Sequence, residues 1–358
     1  MGCEDKSSPD LYISPIRFNS KDQENKSYKT RGGIQMKKIT LFAVLFWIFM
    51  SGVSAAIDLG IMTGSTKGTY YQFGLNMMKM AKNHGFNLSV YNSRGSIENV
   101  FAVYQRPKTQ MGIVQSDVLA FVLKVQTNAT LKQIARKTKM VFPLYNEEIH
   151  LLGKKTILSF DDLEGKTVAI GKEGSGTYLT SKLLFEVSGI KPKALVNTGA
   201  QAALSQLKQG HIDAMFYVAG FPVKLFSEDV SGNDGLHLVP ITNKSITEFY
   251  PFAQIPPGTY AWQPELVDTV AVKAVLISFD FRRNNCDHVG KFAKVIYENM
   301  DWLKQNGHSK WKSVDLDYPL KGWEQYDCVK KYRPSYSGGT LDAPMEKNPL
   351  LDAIKEIL

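Results

Sequence analysis

Apolar positions along the chain fall into short runs and helical stripes, separated by loops of small residues. Residues 57–62 (IDLGIM) form a run that predicts a buried strand. The small residues 63–68 (TGSTKG) follow as a loop. Residues 69–83 then place Phe73, Met77, Met80 and Ala81 on one helical face. The unit repeats with a strand at 87–92, a short helix at 96–104, a strand at 109–114, and a helix from Val118 capped by Gln115, Ser116 and Asp117. The pattern restarts with a strand at 149–153, an N-capped turn at 159–163 and a strand at 166–171. A second small-residue loop, 173–177 (EGSGT), opens a helix that stops near Gly189. A strand at 194–196, a helix at 201–209 and a strand at 212–218 continue it, and 219–222 opens another helix. An apolar strand at 269–278 and an amphipathic segment at 286–304, with Val289, Phe292, Val295 and Ile296 inward, complete it. Strand–loop–helix repetition predicts an α/β fold with a mainly parallel sheet. Backbone amides at helix N-termini are ready anion sites. Two units that each open a helix with a small-residue loop therefore predict two lobes gripping an anion across a hinged cleft.

Upstream, residues 39–50 (ITLFAVLFWIFM) follow Met36, Lys37 and Lys38 and precede the small residues 51–56 (SGVSAA). This predicts a secretory signal peptide at 36–56, cleaved near Ala55 or Ala56, and so a periplasmic protein. The apolar run is short for a membrane span. Residues 1–35 are polar and aperiodic, and are read as a non-native or mis-started extension ahead of Met36. The whole chain carries 43 Lys and Arg against 34 Asp and Glu. Beyond residue 56 the balance is about +6 and widely spread, without the clustered basic stripe of a nucleic-acid protein. Cys286 and Cys328 are the two cysteines of the exported chain, and an oxidising compartment permits a disulfide between them. Two free thiols are the alternative.

No Walker A loop, Gly-x-Gly-x-x-Gly, His-Glu-x-x-His or Gly-x-Ser-x-Gly pattern occurs. Glu147, Glu148 and His150 cluster on an extended segment without a further metal ligand in reach. The chain is therefore read as a non-enzyme with no cofactor and no metal.

Several loops, taken in order, resemble the TAXI family, the extracytoplasmic solute-binding subunits of tripartite ATP-independent periplasmic (TRAP) transporters. The motifs are 62–71 (MTGSTKGTYY), 95–99 (GSIEN), 113–117 (IVQSD), 174–177 (GSGT), 211–222 with its Gly-Phe-Pro, and 255–260 (IPPGTY). The match covers 57 to about 310. Ser65 and Lys67 stand where the family often has glycine. The resemblance implies a type II periplasmic-binding-protein fold of two α/β lobes. Lobe 1 would be 57–145 plus 260–330, lobe 2 would be 148–255, and 331–358 would form a C-terminal extension. It also implies delivery of a small organic anion (an amino acid or a dicarboxylate such as glutamate or 2-oxoglutarate) to the membrane permease subunits of a secondary transporter. An ABC-importer binding protein, or a sensing or partner-binding protein on the same fold, is the alternative.

The candidate ligand-binding residues follow from the loops. Ser65, Thr66 and Thr69 offer hydroxyls and amides at a helix start. Tyr70 offers a wall and a hydroxyl. Lys67 and Arg94 are candidate cations for a carboxylate. Ser96, Gln115, Ser116 and Asp117 lie at a helix start and a strand end, where α/β ligand sites form. Ser175, Gly176 and Thr177 repeat the anion logic from the second lobe. Tyr217 and Phe221 are read as packing.

Overall fold

The computed structural model describes residues 56–124, 129–281, 284–320 and 322–333. The expectations for 1–35, for the signal peptide short of Ala56, and for 331–358 beyond Arg333 lie outside the described residues. The first half begins β1 (Ile57–Met62), α1 (Thr69–Lys82), β2 (Phe86–Tyr91), α2 (Ser96–Gln105) and β3 (Met111–Gln115). It continues through α3 (Ser116–Lys124) and α4 (Ala129–Lys137) into the long β4 (Thr138–Lys154). The second half comprises β5 (Thr167–Ala169), α5 (Gly176–Ser188), β6 (Ala194–Val196), α6 (Ala200–Lys208), β7 (Ala214–Ala219) and α7 (Lys224–Asp229). It continues with β8 (Leu236–Leu238), α8 (Lys244–Phe249), β9 (Phe252–Ile255) and the long β10 (Val267–Phe279). The helices α9 (Asn284–Glu298), α10 (Met300–Asn306) and α11 (Asp327–Lys330) follow.

All ten strands join in one sheet of order β2-β1-β3-β10-β4-β7-β5-β6, with β8 added to β4 and β9 to β10. Its two ends are parallel: β2-β1-β3 on one side and β7-β5-β6 on the other. The antiparallel pair β4 and β10 joins them and also runs antiparallel to β3, β7, β8 and β9, so the sheet is mixed where the repeating units predict a mainly parallel one. From Thr138 to Glu148, β4 pairs with β10; from Glu148 to Gly153 it pairs with β7 instead. Likewise β10 pairs with β9 over Val267–Val270 and with β3 over Ala274–Ser278. Two strands therefore run from one α/β lobe into the other. Sequence pattern finds only 149–153 of β4, because Asn146, Glu147 and Glu148 interrupt its apolar run.

The faces follow the alternation expected of strands and helices. In the β1 half, Phe73, Met77 and Met80 of α1 pack with Ile61, Ile113, Phe142 and Leu276 of the sheet and Phe292 and Ile296 of α9. The expected helix at 286–304 is two helices, α9 and α10, separated at Asn299. The segment beyond residue 310 is built into this core through Trp311, Val314, Leu316 and Val329. Trp311 is fully buried and stacks on Phe73, with ring centroids 4.2 Å apart. Cys286 and Cys328 are joined by a disulfide, their Cα atoms 5.6 Å apart, which ties α9 to α11. Among the described residues, no helix is long and apolar enough to cross a membrane.

Candidate functional site

Four helix N-termini meet around one cavity of about 260 Å³. They belong to α1, α2, α5 and α6, and the loops in front of them supply Ser65, Gly68, Ser93, Gly95, Lys172, Ser175, Thr198 and Gly199. Gly68, Gly95 and Gly199 are the N-cap residues of α1, α2 and α6, and none gives its helix a side-chain cap. No acidic residue lies in the first turn of α1, α5 or α6. The ends of α1 and α6 therefore lack both usual compensations, while α2 keeps Glu98 in its first turn and α5 keeps the Ser175 cap, and the sum favours an anion beside them. Arg94 and Lys172, both exposed, add two cationic side chains to the lining.

Small residues let the walls approach. Gly95 has a φ of 129°, a backbone region open to glycine, and a side chain there would reach Ser175. A Cβ on Gly176 would lie 1.7 Å from Gln115 Oε1. Several contacts bridge the cavity's two sides. The Glu98 amide donates to Gly174 O (3.1 Å), and the Thr69 hydroxyl donates to Gly220 O (2.7 Å). Ser65 is hydrogen-bonded to Tyr217. Arg94 lies against Gly174 and pairs with Glu98 at 2.7 Å.

Nine of the thirteen sequence candidates line the cavity: Ser65, Thr69, Tyr70, Arg94, Ser96, Gln115, Ser175, Gly176 and Thr177. Two of these hydroxyls also hold structure. Ser175 Oγ caps α5 by accepting from the Tyr178 amide (3.1 Å), and Thr177 Oγ1 accepts from the Val218 amide (3.2 Å). Thr66, Lys67, Ser116 and Asp117 do not line it. Thr66 is exposed, and its carbonyl accepts from the Gln72 side chain (3.2 Å). Lys67 reaches out to α7, pairing with Asp229 (2.8 Å) and Glu228 (3.1 Å). Those partners raise its pKa through hydrogen bonds, Asp229 first. Ser116 accepts from the Lys273 amide at 3.0 Å.

Asp117 is fully buried. Its Oδ1 accepts from the Val118 amide (2.8 Å), and its Oδ2 accepts from the hydroxyls of Thr180 (2.6 Å) and Tyr250 (3.5 Å). Burial pushes its carboxyl up to about 6. An acid raised on folding contributes stability below its unfolded value, near 3.8, and loses it as pH rises to about 6. Asp117→Asn keeps the shape and most of the hydrogen bonds. It should raise stability at pH 7, by at most roughly 3 kcal/mol, and flatten that part of the pH profile. Urea unfolding at pH 4, 5, 6 and 7 checks this; an unchanged slope contradicts it.

Glu147, Lys172 and Tyr217 also line the cavity and were not among the candidates. Glu147 is 2% exposed, and its Oε2 accepts from the Tyr70 hydroxyl at 2.6 Å. Burial holds its carboxyl well above the usual carboxylate range. The adjacent Glu148 pairs with the buried Lys310 at 2.6 Å. His150 Nε2 meets the Tyr260 hydroxyl at 2.9 Å, and burial pushes the imidazole down to about 4, so it is neutral. Alternation along β4 thus sends Glu147 towards Tyr70 while Glu148 and His150 take other partners. Among the described residues, no group of three or more His, Cys, Asp or Glu could hold a metal ion.

A family model described as the NMT1-like family matches residues 61–323. Among solved structures, MatC from Rhodopseudomonas palustris with bound malate is similar at 15% identity. The match covers 84% of this chain and 97% of that one, with a TM-score of 0.50. The periplasmic binding protein BugD matches at 9% identity over 72% of this chain and 85% of its own, with a TM-score of 0.48. An arginine transport system periplasmic binding protein from Legionella pneumophila matches at 11% identity over 72% of this chain and 97% of its own, with a TM-score of 0.44. At these identities the likeness concerns the fold alone. It is a two-lobed mixed α/β fold of the kind found in periplasmic binding proteins.

Proposed function

The chain belongs to the NMT1-like family, and from that premise we propose that it is a non-enzymatic, exported solute-binding protein that closes on a small organic anion. One observation carries this reading: the N-termini of α1, α2, α5 and α6 meet at one cavity, those of α1, α2 and α6 without a capping side chain and those of α1, α5 and α6 without a first-turn acid. Oriented amides and helix dipoles favour anions there. In this reading the ligand sits between lobe 1 (57–145 plus 260–330) and lobe 2 (148–255), and β4 and β10 are the hinge. The bonds from Thr69 to Gly220 and from Glu98 to Gly174 belong to the closed form. Ligand binding selects that form by differential affinity.

The ligand residues are Ser65, Thr69, Tyr70, Arg94, Ser96, Gln115, Ser175, Gly176 and Thr177. Lys67 assists by pairing with α7 in the closed form. The six motifs in TAXI order support a finer reading, delivery to a TRAP permease from the periplasm after removal of the signal peptide.

Native mass spectrometry of the purified mature protein, with denaturing release of bound molecules, tests the reading. A co-purified small carboxylate is expected. An empty protein is then titrated by calorimetry with mono- and dicarboxylates, amino acids and sulfonates. Binding of none of them overturns the reading.

A further inference from the structure

Glu147 is the one acidic side chain among the described residues lining the cavity. Every hydrogen bond that reaches it starts from a donor. The Gln115 amide donates to Ser96 Oγ (3.1 Å), Ser96 Oγ lies 3.3 Å from the Tyr70 hydroxyl, and that hydroxyl donates to Glu147 Oε2 at 2.6 Å. The chain ends on the Glu147 carboxyl, across a short hydroxyl–carboxyl bond. Among the described residues, no ion pair to a protein cation completes it. Arg94 is paired with Glu98, Lys310 acts on Glu147 from a distance but is paired with Glu148, and Lys172 is an exposed cation of the lining. The other groups around Glu147 are Tyr145 and Glu148 on β4, Asp117 on α3 and Tyr217 on β7, none of them cationic. The cavity therefore holds four positive helix ends and one nearly enclosed carboxyl. Ser96, at the N-terminus of α2, is a single hydroxyl away from that carboxyl.

Resting on the solute-binding reading, we propose that Glu147 receives the protonated amino group of the ligand while the helix N-termini hold its carboxylate, so that the site selects amino acids over the matching 2-oxo acids. A dianion would fill the helix ends and leave Glu147 facing another acceptor. A zwitterion satisfies both, and the short Tyr70–Ser96 link sets the two subsites side by side, as an α-amino acid requires. Because burial holds the empty site's carboxyl high, an incoming ammonium displaces its proton. Amino-acid affinity then rises with pH, and oxo-acid affinity does not follow Glu147.

The test is calorimetry with two matched pairs, glutamate with 2-oxoglutarate and alanine with pyruvate, on wild type, Glu147→Gln and Glu147→Asp. In wild type, at least one amino acid should bind about tenfold or more tighter than its oxo partner, releasing up to one proton as read from buffers of different ionisation enthalpy. Glu147→Gln should cost that amino acid about 100-fold, change oxo-acid binding by less than about threefold, and leave the melting temperature no lower. Glu147→Asp should keep the preference. Equal binding of the pair, or an equal loss of both in Glu147→Gln, overturns the proposal while leaving the solute-binding reading standing. Binding of neither pair also overturns it, and the wider anion panel then decides the underlying reading separately.

Discussion

Gly176→Val is expected to weaken ligand capture by about 10- to 100-fold while the protein stays folded. Gly176 is the first residue of α5, and its backbone is not in a region reserved for glycine. A side chain is therefore tolerated locally, and the cost falls across the cavity. A Cβ would stand 1.7 Å from Gln115 Oε1, 2.4 Å from its Cδ and 2.7 Å from Ser96 Oγ. Gln115 is 2% exposed, so its side chain has little room to retreat. Branched methyls add to the clash, and overpacking of this kind costs about 1–3 kcal/mol or more. Opening the hinge relieves it at once, so the variant rests open. Apparent affinity falls with the closed fraction, and calorimetry against the wild-type ligand reads it. Wild-type affinity in Gly176→Val contradicts closure over this cavity.

The second large effect is on stability. Lys310→Met should destabilise the fold by about 3–5 kcal/mol, and the double variant Glu148→Gln/Lys310→Met should recover most of it. Lys310 and Glu148 are 7% and 5% exposed on their side chains and lie 2.6 Å apart. Lys310 also lies 3.7 Å from the centroid of the Phe221 ring. Burial lowers the Lys310 pKa and raises that of Glu148. Removing the cation leaves a carboxyl whose Oε2 already has no partner. Its folded value then rises further, so the deficit should grow as pH rises and shrink in acid, where Glu148 takes a proton. Thermal melts at pH 5 and 8 read both effects, with a drop on the order of 10 °C for the single variant at pH 8. Equal melting of wild type and Lys310→Met would remove this pair as a support of the β4 crossing.

The cavity's rim was legible in the sequence because its signals are local. Ser175 next to Gly176, and Gly95 before Ser96, mark helix starts by residue type alone. The alternation of strands and helices gave the α/β class for the same reason. What escaped depends on distant partners. Glu147 and Glu148 look like a break in an apolar strand, and their roles come from Tyr70, 77 residues away, and from Lys310, 162 residues away. Lys67 looks like a ligand cation until α7 brings Glu228 and Asp229 to it. Tyr217 reads as packing on an apolar strand, yet it lines the cavity and meets Ser65. Nothing local marks Trp311 as a core residue, and its stacking on Phe73 is set by the tertiary fold.

Small-angle X-ray scattering of stripped and ligand-saturated protein tests the central claim most directly. The account predicts a smaller radius of gyration on saturation, and a Gly176→Val curve that stays with the stripped form under the same ligand. Superimposable stripped and saturated curves for the wild type would contradict a hinged closure around the bound anion.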